Sequence, residues 1–216
     1  MALSKVNKKT AERISPLSHR KMTSGPEGLT LQEAPHLGKL ILRMDQKIGN
    51  KPVTATTKGA SLPTEPCTAV TSKNGHISTL WLGPDEWMLV TERDGDRELK
   101  IGLDMGLTGL FHQLVNVTDY YTCIDLSGHQ ARETLMNLTT LDLHARSFSV
   151  GHVKGSLFGH ANAYLWQLNT GTGQPEAFRL IVRASMADYL WCLITRSARL
   201  FGIPEEMPIN GEKLVI

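Results

Sequence analysis

The chain is predicted to be an α+β protein, mostly antiparallel sheets with a few packed helices. Three observations predict it. Short apolar runs of strand length recur between Gly, Pro, Asn and Asp turn signals along most of the 216 residues. Helical periodicity is confined to a stretch at 98–107, one that starts at Ser127 and one that starts at Ser185. Strand and helix patterns do not alternate as repeated βαβ units, which excludes a doubly wound parallel sheet.

Residues 1–27 are polar and basic, with Lys5, Lys8, Lys9, Arg13, Arg20 and Lys21 against Glu12 and Glu27, and are interrupted by Pro16, Gly25 and Pro26. They read as a tail, flexible or ordered by a partner, ahead of a single domain at 28–216. Gly28 to Asp45 reads as two strands, the second being Lys39–Met44 after a Pro-His-Leu-Gly break. The Thr, Gly and Pro content from Lys47 to Pro66 marks a loop. Thr68 to Thr91 follows as a meander. Its first turn is Asn74-Gly75, two residues that tolerate positive φ, and its second is Gly83-Pro84-Asp85-Glu86. Glu98–Leu107 is helical, and Phe111–Leu126 holds two strands with Thr118-Asp119 between them. Ser127 starts a helix, since Ser127 and Gln130 have the Ser-x-x-Gln spacing of a capping box. Strands follow at Val153–Phe158, Ala163–Leu168 and Phe178–Arg183, the last with Phe178, Leu180 and Val182 on one face. The final helix has Ser185 and Asp188 as its cap, a stripe of Met186, Tyr189, Leu190, Leu193, Ile194 and Phe201, and Gly202 and Pro204 as its stop.

A 41% hydrophobic and 20% charged chain with net charge +2 is an ordinary globular composition and argues against nucleic acid as the main partner. No apolar run is long enough to span a membrane. The basic start lacks the apolar core of a secretory signal, and Glu12, Pro16 and Pro26 weaken a mitochondrial presequence. Cys67, Cys123 and Cys192 are odd in number and far apart, which suits reduced thiols and a cytoplasmic chain.

A search for catalytic chemistry returns nothing self-contained. Asp85 and Glu86 are neighbours that an extended chain points to opposite sides, so they read as a solvated turn. His144, His152 and His160 recur every eight residues, which fits no short metal spacing. Gly171-Thr172-Gly173 sits where a hairpin turn is expected and lacks the helix of a dinucleotide fingerprint. Neither a phosphate-binding P-loop nor a Gly-x-Ser-x-Gly elbow occurs. Cys123 reads as a small hydrophobe in a strand, and Asp125 and Asp142 read as turn or cap residues before they read as a lone carboxylate in an amine or folate site. No catalytic, cofactor-binding or metal residue is assigned.

The most informative stretch is Leu80-Trp81-Leu82-Gly83-Pro84-Asp85-Glu86-Trp87, which spends two of the four Trp residues on one hairpin. It resembles a signature of the gamma subunit of heterotetrameric sarcosine oxidase, and the resemblance continues in register. Ser15-Pro16-Leu17-Ser18-His19-Arg20 resembles the N-terminal motif of that family. Val117-Thr118-Asp119, Ile124-Asp125-Leu126-Ser127-Gly128 and Ala131-Arg132-Glu133 resemble its central unit, followed by Leu141-Asp142-Leu143-His144, Phe148 and Gly151-His152. Phe178-Arg179-Leu180, Arg183-Ala184-Ser185 and Ala187-Asp188-Tyr189-Leu190-Trp191 resemble its C-terminal strand and helix. Val153-Lys154-Gly155-Ser156 departs from the family pattern, as does the long basic extension before Ser15.

The resemblance implies a fold similar to the folate-binding part of glycine-cleavage aminomethyltransferase. It also implies a place beside alpha, beta and delta subunits in a complex that oxidatively demethylates sarcosine to glycine, with hydrogen peroxide and formaldehyde or methylene-tetrahydrofolate as the other products. The complex's FAD, FMN, NAD, zinc and tetrahydrofolate are then expected on other subunits, with no cofactor here. Alternatives are the equivalent subunit of a related complex such as N-methylglutamate dehydrogenase, or a stand-alone folate-dependent one-carbon transferase with Asp125 facing a deep pocket. For a non-catalytic subunit the residues to watch are contacts: His19, Arg20, Trp81, Trp87 and Trp191 are the expected subunit-interface residues.

Overall fold

A computed structural model describes residues 13–45, 47–48, 51–52 and 60–208. Its thirteen strands and three α-helices follow the chain as β1 (Thr23–Ser24), β2 (Thr30–Glu33), β3 (Leu37–Met44), β4 (Lys47–Ile48), β5 (Lys51–Pro52), β6 (Ala69–Thr71), β7 (Ile77–Gly83), β8 (Glu86–Arg93), α1 (Asp96–Gly106), β9 (His112–Asn116), β10 (Tyr121–Ser127), α2 (Ala131–Met136), β11 (Val153–Phe158), β12 (Ala161–Leu168), β13 (Ala177–Arg183) and α3 (Ala187–Ala198). The α+β reading holds. One sheet runs β1-β2-β10-β13-β12-β11 and a second runs β6-β7-β8-β3-β9, with antiparallel pairing throughout.

Side-chain alternation sorts these strands into layers. Leu80, Met88 and Val90 of the second sheet meet Cys123, Val153, Trp166 and Ile181 of the first, forming an inner layer. The intervening residues point outward. Ile124, Leu126, Leu165, Phe178, Leu180 and Val182 pack under α2 and α3, while Leu40, Leu42, Trp87 and Leu89 pack under α1 with Ala60 and Leu62. The result is helix, sheet, sheet, helix. The sheets are also joined through backbone: Val153 N–H donates to the Cys67 carbonyl at 2.9 Å and Ala69 N–H to the Gly151 carbonyl at 2.7 Å, beside a Thr68–His152 bridge.

Glycine is required where elements approach closely. A Cβ at Gly38 would lie 2.5 Å from Thr91 Cγ2 and 2.8 Å from the Asp96 nitrogen. Gly38 thus lets β8 and the start of α1 close on β3 at a bulge between Leu37 and Gly38. Gly202, at φ 81°, ends the last helical turn as the sequence predicts.

Two expected helix caps are corrected. Ser127 does not start α2: it is the last residue of β10, and its hydroxyl pairs with Thr30 at 2.7 Å on the neighbouring strand. Gln130 donates to Glu27 at 2.6 Å instead of closing a capping box. Ser185 and Asp188 do not cap α3, which grows from a 3₁₀ turn at Ala184–Met186 with no side-chain cap bond. The stretch read as a tail is divided. Residues 1–12 lie outside the described residues, whereas residues 13–27 are built into the fold, with Leu17 fully buried under α3 and β1 paired to β2. The loop expected over Lys47–Pro66 contains the β4–β5 ladder, and its residues 49–50 and 53–59 lie outside the described residues.

Candidate functional site

The Trp-Leu-Gly-Pro-Asp-Glu-Trp unit is the β7–β8 hairpin, as expected. Trp81 and Trp87 face each other across the strands on the outer side of the sheet, and the register shifts between Trp81 and Gly83 to admit the turn. Trp87 is fully buried, and its indole N–H donates to the Pro63 carbonyl at 2.9 Å. Trp81 packs beside it and stays partly covered. In the turn, Asp85 pairs with Arg43 at 3.0 Å with both side chains more than half exposed, so this contact sets conformation more than stability. The turn borders a groove of about 750 Å³, lined by Arg43, Met44, Asp45, Pro84, Asp85 and Phe111.

Two motifs distant in sequence converge at Arg20. Its side chain is 8% exposed and donates to Asp188 (Nε, 2.8 Å), Glu206 (Nη1, 2.7 Å), the Met207 carbonyl (Nη2, 2.7 Å) and Cys192 Sγ (Nη2, 3.1 Å). Burial works against the charge, but the Asp188 hydrogen bond, the Cys192 sulfur and the Glu206 carboxylate outweigh it and hold the guanidinium above its ordinary range. His19 adds a contact to Asp188 at 2.8 Å. Asp188 is therefore drawn to the N-terminal motif, which explains why it does not cap α3. One guanidinium clasps residues 15–20, α3 and the segment after Gly202.

Of the five expected interface residues, Trp87 and Trp191 lie fully buried in the core of the chain. Trp191 falls off the Leu190 stripe on a helical wheel, but α3 is enclosed widely enough to bury Leu190, Trp191, Cys192 and Ile194 together. Arg20 is turned inward to its clasp. His19 and Trp81 keep partial exposure.

The groups considered for chemistry are engaged structurally. Asp125 and Arg179 are opposite one another on β10 and β13 and form a bidentate pair, with both N–O distances 2.7 Å. Burial opposes the Arg179 charge and Asp125 restores it, leaving the guanidinium raised. It also lies 5.8 Å from the Trp166 ring centre. Both Asp125 oxygens are thus occupied. Asp142 accepts from the His144 backbone N–H at 3.0 Å, and hydrogen bonds from Ser147 and His144 hold its carboxyl below the ordinary range. Burial pushes the Cys123 thiol up, and pushes Cys192 up to about 11 against the pull of Arg20. Neither supplies a thiolate at neutral pH. His144 and His152 accept from nearby backbone N–H groups at 3.2 Å, and His160 lies against Tyr189. Among the described residues no group of three or more His, Cys, Asp or Glu is placed to hold a metal ion.

Two polar features escape sequence reasoning. Arg132 on α2 donates to Glu176, to Gln167 Oε1 at 3.0 Å, and to the carbonyls of Leu143 and Phe148, pinning the 139–151 connection onto the sheet. Lys39 lies in the inner layer at 1% exposure, and its ammonium donates to the Leu37 carbonyl at 2.5 Å. Only its motif marks Arg132 in the sequence. An apolar strand context is the sole signal at Lys39.

Comparison with known proteins follows the same lines. Residues 49–199 match the sarcosine oxidase, gamma subunit family. The sarcosine oxidase subunit gamma of Corynebacterium sp. strain U-96 is 26% identical over 173 residues, covering 77% of each chain. Its counterpart from strain P-1 is 26% identical over 193 residues, covering 88% of this chain and 91% of that one. In structure, a chain of the heterotetrameric sarcosine oxidase from Corynebacterium sp. U-96 in complex with pyrrole 2-carboxylate superposes with TM-score 0.74 at 23% identity, covering 90% of this chain and 99% of that chain. The glycine cleavage system aminomethyltransferase T from Bartonella henselae superposes with TM-score 0.63 at 13% identity, over 87% of this chain and 58% of that one. These likenesses support the two-sheet fold, and the match over residues 49–199 places the sequence: the chain belongs to the sarcosine oxidase gamma subunit family.

Proposed function

We propose that this chain is the gamma subunit of a heterotetrameric sarcosine oxidase and contributes structure and contact surface while the chemistry takes place on its partners. The observation that carries the reading is the family match over residues 49–199, which spans the signature hairpin, both central motifs and α3. In this reading the assembled enzyme demethylates sarcosine oxidatively to glycine, with hydrogen peroxide and formaldehyde or methylene-tetrahydrofolate formed on other subunits. Those subunits carry the flavins, NAD, zinc and tetrahydrofolate, and the chain alone is inactive. The engagement of Asp125 by Arg179 supports this over a stand-alone folate transferase, which needs that carboxylate free to face its ligand. Three unpaired cysteines support a cytoplasmic site of action.

Co-expression with alpha, beta and delta subunits tests the proposal. Size-exclusion chromatography with flavin absorbance should place this chain in a large flavoprotein that oxidises sarcosine. A stable monomer that ignores those partners, or that binds tetrahydrofolate tightly by itself in calorimetry, would overturn it.

A further inference from the structure

The side chains between the two sheets change character along the layer. Strand alternation carries the inner face from Met88 to Glu86 on β8, from Ile181 to Arg183 on β13, from Trp166 through Tyr164 to Asn162 on β12, and from Cys123 to Tyr121 on β10. At this end the apolar inner layer gives way to two phenols and two opposite charges. A cavity of about 300 Å³ opens there, with Tyr121, Gly155, Asn162, Tyr164 and Arg183 in its lining.

The register places these walls. Tyr121 lies opposite Arg183 on β10 and β13, and Tyr164 lies opposite Gly155 on β12 and β11. A Cβ at Gly155 would come within 3.2 Å of two Tyr164 ring atoms, so the missing side chain lets that ring lie against β11. The Tyr121 and Tyr164 ring centres are 6.4 Å apart with their planes inclined at 60°, a V and not a stack. Tyr120 meets Tyr121 edge-on at 4.8 Å, and the Arg183 guanidinium sits 5.6 Å from the Tyr120 ring centre, which steadies both groups. Burial is the main cause that raises both phenols above the ordinary tyrosine range; Glu86 adds to it from the facing sheet and Arg183 opposes it. Both rings thus stand in the field of one carboxylate and one guanidinium. Arg43, opposite Glu86 in the β3–β8 register, is held by Asp85 at 3.0 Å.

We propose that this cavity binds a small zwitterionic α-amino acid. Its carboxylate pairs with the Arg183 guanidinium, its ammonium lies against the faces of Tyr121 and Tyr164 on the side of Glu86, and its side chain enters the V between the rings. Each part of the ligand answers one wall. A guanidinium matches carboxylate geometry. Tyrosine faces attract a cation, and the Glu86 charge favours a positive group over a second carboxylate. The volume lies at the lower end for ligand sites, which limits the ligand to few heavy atoms. The site stands apart from the subunit reading, since its walls all belong to this chain. It also gives the signature turn a role: Glu86 supplies the negative charge across from Arg183.

The test is an NMR titration of the full chain with alanine, with propionate and ethylammonium as probes that each keep one of its two charges. Alanine should bind saturably with a Kd of about 1 mM and move the Tyr121, Tyr164 and Arg183 resonances, and each single-charge probe should bind about tenfold more weakly. Arg183→Gln should weaken alanine binding by about tenfold or more and Glu86→Gln by about threefold. Lys73→Gln, exposed in the turn at the far end of β7, should bind like wild type. If Arg183→Gln unfolds the chain, as shown by its urea midpoint, Glu86→Gln and the two single-charge probes on wild type carry the test. Propionate or ethylammonium binding as tightly as alanine overturns the amino-acid assignment, because one charge then suffices. Resonance changes that both Arg183→Gln and Glu86→Gln leave untouched overturn it, as does no saturable change at Tyr121 and Tyr164 up to about 100 mM alanine. Each of these results leaves the subunit reading standing.

Discussion

Replacing Lys39 by Met should stabilise the protein, contrary to the usual effect of a core substitution. Lys39 is 1% exposed between the two sheets, donates to the Leu37 carbonyl, and forms no ion pair among the described residues. Burial depresses its pKa below the ordinary lysine range, a nearby Cys123 opposes this, and Arg13 adds to it. An ammonium taken from water without a carboxylate costs several kcal/mol, roughly 3 after relaxation. Met fills nearly the same volume and leaves the half-buried Leu37 carbonyl short of a donor, at a cost of about 1 kcal/mol. The net expectation is a gain of about 2 kcal/mol at pH 7, or roughly 4–8 °C in Tm for a chain of this size.

The pH dependence separates this cause from simple repacking. With the folded pKa depressed, there is a window in which the unfolded chain holds the Lys39 proton and the folded chain does not. Stability of the wild type therefore rises with pH through that window, by up to about 1.4 kcal/mol per pH unit, until the unfolded lysine also deprotonates. The gain from Lys39→Met should be largest below the folded pKa and shrink as pH approaches the ordinary lysine range. Urea unfolding of both proteins across neutral to alkaline pH reads this directly. A destabilised variant, or a difference that stays constant with pH, refutes the assignment of a costly buried charge.

Two further outcomes follow from the clasp and the thiols. Arg20→Ala removes the buried guanidinium from Asp188 and Glu206 and cuts one of the ties that hold the segment after Gly202, so it should cost about 3 kcal/mol in urea unfolding; Arg20→Lys should recover only part of it because the fork geometry is lost. A loss under about 1 kcal/mol would show that the clasp is ornamental. Iodoacetamide at pH 8 should label the partly exposed Cys67 first, with Cys192, pushed up to about 11, and the buried Cys123 lagging by well over an order of magnitude. Equal labelling of the three in mass spectra of the native protein would contradict their placement.

Strand and turn positions are legible in the sequence because their causes are local. Alternation at Phe178, Leu180 and Val182, the Asn74-Gly75 turn, with Gly75 at φ 79°, and the Gly-Pro-Asp-Glu hairpin all act within a few residues, and the strands appear where those signals put them. Helix starts depart from the sequence signals where a distant group outcompetes the local cap. Ser127 finds Thr30, Gln130 finds Glu27, and Asp188 finds Arg20. A capping box is worth about 1 kcal/mol, so a charged or cross-strand partner brought close by the fold readily displaces it. The same limit applies to the tryptophans: strand and wheel geometry give relative facing, but only the packing of a second layer says which face is inside.

By itself, then, the order of apolar runs and turn residues determined an antiparallel α+β chain, and the ordered motifs determined its family. Tertiary structure decided everything that depends on two remote segments meeting: the division of strands into two facing sheets, the Arg20 clasp that draws residues 13–27 into the fold, and the buried charge at Lys39. The reason is range. Periodicity and turn chemistry are properties of neighbours along the chain, whereas burial and ion pairing depend on what the rest of the molecule brings near.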